Sequence, residues 1–163
     1  MLITARTASD PELAALLAAQ QRELGDTGWA GLAGGPPEDL RFLVAVLGDR
    51  AVAFGGLRAY DDGTGEVHRL YVRPACRKRG VARQLLAALE ELAFQAGHAV
   101  LRLRTTAHLA TFYTACGYQR IPGYGEPAPD TVCFAKRLPV AASDFADLTR
   151  TSVATKASCQ TKW

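Results

Sequence analysis

A cluster of basic side chains stands directly before a predicted long helix. Arg77, Lys78 and Arg79 precede Gly80, and an apolar repeat of helical period begins at Ala82. The first turn of a helix has backbone N–H groups without acceptors in the helix, and these groups bind phosphate oxygens well. Gly80 leaves room for a ligand to approach the backbone, and Ala82 is small for the same reason. This segment therefore predicts a site for a phosphate-bearing ligand.

Positive charge is concentrated around the same segment. Between residues 66 and 83, six Lys and Arg side chains stand against a single Glu, a net charge of +5, whereas the whole chain carries only +3. A charge run of this kind can also be a solvated surface, and charge alone does not decide between the two. The small total charge and the lack of an interleaved aromatic stacking platform argue against nucleic acid as the partner.

The elements on either side of the basic segment define the fold class. Three strand-like runs, at 41–47, 51–60 and 66–72, are joined by short turns and predict an antiparallel meander. A helical repeat then extends to Gly97, and a strand at 99–105 follows with no room for a return strand. The strands at 66–72 and 99–105 are therefore predicted to be parallel. This order of elements is typical of an α+β (mixed α/β) fold around one sheet.

The N-terminal part supplies a strand and a helix. A short strand is predicted at 2–7, and residues 9–12, Ser-Asp-Pro-Glu, form a capping box with proline at the first helical position. The predicted buried face of this helix consists of leucines at helical spacing: Leu13, Leu16, Leu17 and Leu24. The glycine- and proline-rich segment 25–37 cannot be regular structure. It is either a lid over a site or a surface loop on which Trp29 packs.

A short helix around 107–116 and two further strands, from 117 and over 131–138, complete the predicted sheet. No repeat or second domain is visible. Residues 1–138 are therefore expected to form one domain. The segment 139–163 has no sustained apolar period and is expected to be a tail of unknown role.

Composition narrows the class of protein further. The four cysteines lie far apart, with no CxxC pair and no nearby histidine pair, so no metal site or disulfide framework is predicted. Neither a membrane-spanning run nor a signal peptide is present, which predicts a soluble cytoplasmic protein. Arginine far outnumbers lysine and asparagine is absent, a coding bias that suggests a bacterial source.

The spacing Arg77-x-x-Gly80-x-Ala82 after a strand resembles the acetyl-CoA signature, Gln/Arg-x-x-Gly-x-Gly/Ala, of the GNAT superfamily of N-acetyltransferases. The wider strings EVHRLYVRP, RKRGVARQLL and ATFYTACGY match the order and spacing of that family. The resemblance covers nearly all of the chain except the tail. It implies the GNAT fold, in which the strands at 66–72 and 99–105 splay apart around the pantetheine arm of acetyl-CoA.

The resemblance also implies where acetyl-CoA, the co-substrate, is held. Backbone groups freed by the splaying would pair with the pantetheine amides and the thioester carbonyl, and they belong to Leu70, Tyr71 and Val72. Backbone amides of the signature would hold the pyrophosphate, and they belong to Arg77, Lys78, Arg79, Gly80, Val81 and Ala82.

Acetylation of an amine requires a base, because an alkyl ammonium with a pKa near ~10 must lose a proton before it attacks. Glu66 is evenly spaced from His68, Leu70 and Val72 on one predicted strand, so Glu66 and His68 should share a face. By resemblance, Glu66 occupies the place of the family's glutamate base. A carboxylate that merely pairs with a nearby arginine is the alternative. His68 is the second candidate base, because imidazole ordinarily titrates near ~6.5.

Tyr113 in the string FYTACGY matches the family's tyrosine general acid, which would protonate the departing thiolate. Packing of the short helix against the sheet is the structural alternative. An acyl-cysteine route is less favoured, because Cys76 lies by the phosphate turn and Cys116 has no adjacent base in the sequence. The irregular segments around 25–40 and 119–131 are expected to recognise the acceptor. The side chains considered for that role are Trp29, Tyr60, Tyr124 and Glu126.

The sequence thus predicts an N-acetyltransferase that moves acetyl from acetyl-CoA to a primary amine of a small molecule or peptide in a ternary complex. A non-catalytic acyl-CoA-binding module is the alternative function. Neither a nucleic acid nor a membrane is expected as a partner. A homodimer is suggested only by analogy with the family.

Overall fold

The computed structural model describes residues 1–24, 39–125 and 129–139. Within these ranges, one sheet contains β1 (Leu2–Arg6), β2 (Leu40–Leu47), β3 (Arg50–Ala59), β4 (Thr64–Val72), β5 (Val100–Thr106), β6 (Gln119–Ile121) and β7 (Thr131–Arg137). The helices are α1 (Pro11–Leu24), α2 (Val81–Gln95) and α3 (Ala110–Ala115). The predicted α+β fold, the meander β2-β3-β4 and the crossover β4-α2-β5 are confirmed.

The strand order is β1-β2-β3-β4-β5-β7-β6, and of these neighbouring pairs β4 and β5 are parallel while the others are antiparallel. Two apolar cores cover the two faces of the sheet. On one face α1 packs through Leu13 and Leu16 against Phe42 and Phe54. On the other face the leucines of α2 pack against Leu57 and residues of β5. Helices on both faces explain why β2 and β3 are apolar on both sides.

Helix α1 begins at Pro11 as predicted, but Asp10 is its N-cap and Ser9 does not form the predicted capping box with Glu12. The Asp10 carboxylate accepts hydrogen bonds from the backbone amides of Glu12, at 2.9 Å, and Leu13, at 3.0 Å. The predicted buried face is wrong in its last turn, because Leu24 is 42% exposed whereas Gln20 is buried. The last turn of α1 lies over a cavity in the sheet, so a polar side chain is tolerated on its inner face.

The parallel strands β4 and β5 separate partway along their length. They pair from Thr64, opposite Val100, to Val67, opposite Leu103. Beyond that point β5 continues to pair with β7 as far as Thr106. The C-terminal half of β4 therefore has no paired partner in β5. The predicted splaying is confirmed, and it opens a gap in the middle of the sheet.

A β-bulge in β4 lies at the start of this gap. The register with β3 shifts between Phe54 and Gly56, so that two β4 residues, Arg69 and Leu70, face Gly55 alone. Arg69 has a φ of 56°, in the left-handed region that non-glycine residues rarely adopt. The extra residue switches the faces of the sheet on which the following β4 side chains lie. Side chains at even spacing from Glu66 therefore share its face only as far as His68.

Candidate active site

Glu66 lies at the centre of a polar cluster on the α1 face of the sheet. Its side chain is only 3% exposed. It accepts hydrogen bonds from the hydroxyl of Tyr60, at 2.6 Å, and from the hydroxyl of Tyr124, at 3.2 Å. The Nε2 atom of His68 lies 3.5 Å from Glu66 Oε1. Glu66 and His68 therefore share a face, and two aromatic side chains considered for acceptor recognition meet at this carboxylate.

Two arginines of β5 complete the cluster. The Nε atoms of Arg102 and Arg104 lie 3.9 Å and 3.6 Å from the carboxylate oxygens of Glu66. The guanidinium group of Arg102 lies between the rings of Tyr60 and Tyr124, 4.5 Å and 4.4 Å from their centroids. These arginines were not among the site residues predicted from the sequence. In β5 these arginines alternate with leucines, which places them on one face of the sheet. The parallel register also sets Glu66 opposite Arg102, and the two patterns together would have predicted the contact.

The environment of Glu66 stabilises its charged form. Burial by itself would raise the pKa of this carboxyl group. The nearby His68, the hydrogen bond from Tyr60 and the charge of Arg104 outweigh burial and lower the pKa from 4.5 to about 2. A carboxylate with so low a pKa is a weak proton acceptor, and Glu66 stays charged beside the surrounding arginines.

This low pKa predicts a loss of stability in acid. The pKa of Glu66 lies below the 4.5 of an unperturbed group, so its contribution is complete above pH ~4.5 and is lost as the pH falls toward 2. We expect this to lower the free energy of unfolding by on the order of 2 kcal/mol. Urea unfolding between pH 6 and pH 3 measures the change. If Glu66→Gln has the same pH dependence as the natural chain, the carboxylate is not responsible.

A cavity of about 160 Å³ occupies the gap between β4 and β5. Its walls come from α1, from both separated strands, from the segment after β5 and from α3. Its lining residues are Gln20, Gln21, Leu24, Val67, Arg69, Leu70, Leu103, Arg104, Thr105, Thr106, His108, Leu109 and Tyr113. The gap therefore contains open space between the two strands.

Tyr113, the predicted general acid, lies in the wall of this cavity. It is 6% exposed and packs edge-on against the rings of Phe112 and Tyr118. Burial, with a smaller contribution from Cys116, raises the pKa of Tyr113 to about 12. The phenol therefore keeps its proton at neutral pH and can donate a hydrogen bond into the cavity.

The basic segment forms a tight turn between β4 and α2. A 3-10 turn at Pro74–Cys76 leads into it, and the amide of Arg77 donates to the carbonyl of Pro74 at 3.2 Å. Lys78 and Gly80 both have left-handed conformations, with φ of 60° and 78°. A Cβ atom on Gly80 would meet only the Nε2 atom of Gln84, 3.9 Å away. The backbone at Gly80 is therefore open to a ligand at the start of α2.

The side chain of Arg77 points back into the protein. Its Nε atom donates to the carbonyl of Val72 at 2.9 Å, and its Nη2 atom lies 2.5 Å from Glu23 Oε1. The guanidinium group also lies 5.8 Å from the centroid of the Tyr71 ring. Arg77 therefore ties the turn to β4 and α1. The backbone amides after Arg77, from Lys78 to Ala82, are the groups left to face a phosphate.

The predicted pantetheine-binding residues lie along the separated half of β4. Leu70 lines the cavity. Tyr71 is buried in the α1 core and Val72 in the α2 core. Both therefore fix the strand through their side chains, and their backbone is the part that can serve a ligand in the gap.

Several sequence predictions fall on residues outside the described ranges. They concern the glycine-rich segment with Trp29, the side chain of Glu126, and the tail with Cys159. Burial raises the pKa of the Cys116 thiol and so disfavours its reactive thiolate. Among the described residues, no group of His, Cys, Asp or Glu is arranged to hold a metal ion. In this part of the chain no helix is long and apolar enough to cross a membrane.

Solved structures with this fold include N-acyltransferases. A Klebsiella pneumoniae protein assigned as an acyl-CoA N-acyltransferase is 32% identical with a TM-score of 0.71, over 84% of this chain and 97% of that one. An aminoglycoside 6'-N-acetyltransferase, solved in complex with coenzyme A, has a TM-score of 0.67 at 19% identity, over 86% of this chain and 99% of that one. The fold is thus that of the acyl-CoA-dependent N-acyltransferases.

Sequence relatives identify the family. Residues 8–118 match the model of the acetyltransferase (GNAT) family. An IAA acetyltransferase of Azospirillum brasilense is 32% identical over 106 residues, which are 63% of this chain and 69% of that protein. The chain belongs to the GNAT acetyltransferase family, and the family resemblance found in the sequence is confirmed.

Proposed function

We propose that the protein transfers the acetyl group of acetyl-CoA to a primary amine by direct attack in a ternary complex. The observation that carries the proposal is the gap between β4 and β5. It extends from the bulge in β4 to the turn before α2 and contains the cavity lined by Leu70 and Tyr113. A phosphate at the turn and a thioester in the cavity can thus belong to a single extended ligand.

The residues of the turn and the gap fit acetyl-CoA. Backbone amides of the first turn of α2 would hold the pyrophosphate, because they have no acceptors inside the helix and Gly80 offers no side chain. The unpaired edge of β4 at Leu70, Tyr71 and Val72 would hydrogen-bond the pantetheine amides and the thioester carbonyl. Bound there, acetyl-CoA supplies an activated acyl group.

The acetyl transfer requires only a few chemical groups of the protein. The amine nitrogen forms a bond to the thioester carbonyl carbon, the carbon–sulfur bond breaks, and the sulfur leaves with the electron pair. Backbone N–H groups of β4 would stabilise the charge that develops on the carbonyl oxygen. Tyr113 would donate a hydrogen bond to the departing sulfur. The proton lost by the amine needs an acceptor on the protein.

We assign that proton to His68 and give Glu66 a positioning role. Glu66 has a pKa of about 2, far below that of an alkyl ammonium near ~10, so proton transfer to it is strongly uphill. The Nε2 atom of the His68 imidazole lies 3.5 Å from the same carboxylate, which would orient the ring. A pair of this kind holds the ring in place and stabilises the imidazolium that forms.

Replacement of His68 tests this assignment. We expect His68→Gln to lower kcat by roughly a hundredfold, the lower end of the range for a lost general base, with little change in the KM for acetyl-CoA. An unchanged kcat in His68→Gln would remove this residue from the mechanism.

Two measurements test the function as a whole. Coenzyme A should raise the melting temperature of the protein, and acetyl-CoA should be consumed, with release of a free thiol, when the correct amine is added. A panel of polyamines, amino acids, aminoglycosides and peptide N-termini covers the main acceptor classes. Stabilisation by coenzyme A without consumption across the panel would favour a non-catalytic acyl-CoA-binding module. Absence of any stabilisation would contradict acetyl-CoA binding itself.

A further inference from the structure

Arg69 occupies an unusual position at the bulge of β4. Its φ of 56° is strained for an arginine, and such strain persists only where the surrounding structure imposes it. The residue lines the cavity between the strands. Its Nε atom is buried and has no hydrogen-bond partner within the described ranges. The bulge therefore brings a cationic side chain with an unused buried donor to the cavity wall.

The charge of the cavity wall is positive. Arg69 and Arg104 both line the cavity, whereas the described lining residues include no Asp or Glu. The nearby carboxylate of Glu66 is already engaged, because it faces Arg102, Arg104 and two tyrosine hydroxyls. The wall thus offers a binding place for an anion.

The electrostatics of Arg69 agree with this interpretation. Burial lowers the pKa of its guanidinium group, and burial is the sole cause that stands out. A guanidinium group remains protonated at neutral pH even so, and a half-buried cation is stabilised when an anion or several acceptors face it. A ligand carboxylate can provide both the charge and the two acceptor oxygens that a guanidinium group binds best.

We propose that the acceptor is a small amine that also carries a carboxylate, and that Arg69 binds this carboxylate in the cavity that Arg104 also lines. The proposal rests on the acetyl transfer proposed above and names the class of its acceptor. Polyamines and aminoglycosides would bring further positive charge toward two guanidinium groups. The phosphates of acetyl-CoA have their own site at the turn around Gly80.

Matched acceptors test the proposal. Each α- or ω-amino acid of a panel is compared with its carboxamide and with the amine that lacks the carboxyl group, and thiol release from acetyl-CoA is measured. We expect kcat/KM to be roughly tenfold to hundredfold higher for the carboxylate, the effect of one charge-assisted hydrogen bond or ion pair. Equal or faster acetylation of the carboxylate-free amines would overturn this proposal and leave the proposed function intact. No consumption with any amine would instead contradict the acetyl transfer.

Variants of Arg69 separate acceptor binding from cofactor binding. Arg69→Gln should raise the KM for the carboxylate acceptor roughly tenfold or more and leave the KM for acetyl-CoA unchanged, and Arg69→Lys should recover part of the loss. Arg137→Gln, at the exposed end of β7, is the matched control and should behave as the natural chain. The melting-temperature shift with coenzyme A verifies that each variant is folded. If Arg69→Gln raises the KM for acetyl-CoA instead, the side chain serves the cofactor and the proposal is wrong.

Discussion

Gly80→Glu is expected to abolish binding of coenzyme A. Gly80 lies at the start of α2 with a φ of 78°, and the space next to it is open except for the tip of Gln84. A glutamate there fills the approach to the helix amides and places a negative charge where a pyrophosphate would bind. Loss of two or more charge-assisted hydrogen bonds weakens binding by roughly a hundredfold or more.

Thermal unfolding with and without ligand measures this loss. Coenzyme A at ~100 times its Kd stabilises a protein by about 2.7 kcal/mol, and a Kd raised a hundredfold leaves well under ~1 kcal/mol. The melting-temperature shift of the natural chain should therefore nearly vanish in Gly80→Glu. Isothermal titration with coenzyme A gives the same comparison directly.

The chain offers a matched control for this variant at the other end of the same helix. Gly97 has a φ of 85°, and no atom lies within 4 Å of a Cβ built on it. Gly97→Glu therefore introduces the same side chain and a similar backbone strain, of about 1–2 kcal/mol, far from the turn. It should lower the melting temperature but keep the full shift with coenzyme A. Equal loss of the shift in both variants would mean that strain, not the phosphate site, is responsible.

Local sequence patterns predicted the order of elements well, because each pattern reports a physical requirement of its own element. The helical repeat before Gly97 and the lack of room for a return strand were enough to make β4 and β5 parallel. The α1 face was predicted less well. Leu24 follows the leucine pattern, yet the last turn of α1 covers a cavity instead of a core, and the sequence of α1 contains no sign of what it packs against.

The bulge in β4 could not be predicted from the residues that form it. A left-handed residue in a strand is ordinarily signalled by glycine or asparagine, and here the position is held by Arg69. The bulge follows from the pairing of β4 with β3, where Gly55 faces two residues. The bulge also affects the candidate site, because it moves Leu70 and Val72 off the face shared by Glu66 and His68.

The partners of Glu66 depend on the sheet as a whole. Tyr124 is 58 residues away in the chain and reaches the carboxylate only because β5, β7 and β6 bring the connecting segment across the sheet. The position of Glu66 in the site was predicted from its place in a motif, whereas its low pKa was not predicted. Burial, His68, Tyr60 and Arg104 determine that pKa, and these three residues come from three separate segments of the chain.

Tyr113→Phe is expected to slow acetyl transfer by roughly tenfold to a hundredfold, while binding of coenzyme A is unchanged. With a pKa of about 12, Tyr113 holds its proton more tightly than a thiol of ordinary pKa ~8.5, so it stabilises the departing thiolate mainly through a hydrogen bond. The loss is therefore smaller than for a full general acid. Rapid-quench measurement of the transfer step, with a saturating amine, isolates this effect from product release.

Tyr118→Phe is the matched control for this substitution. Tyr118 is a second buried tyrosine whose ring centroid lies 5.9 Å from that of Tyr113, but it does not line the cavity. Loss of its hydroxyl tests the aromatic cluster without removing a donor from the site, so the transfer rate should stay near that of the natural chain. Equal slowing in both variants would show that Tyr113 acts through packing. No slowing in Tyr113→Phe would leave the thiolate to be stabilised by the backbone donors of β4 alone.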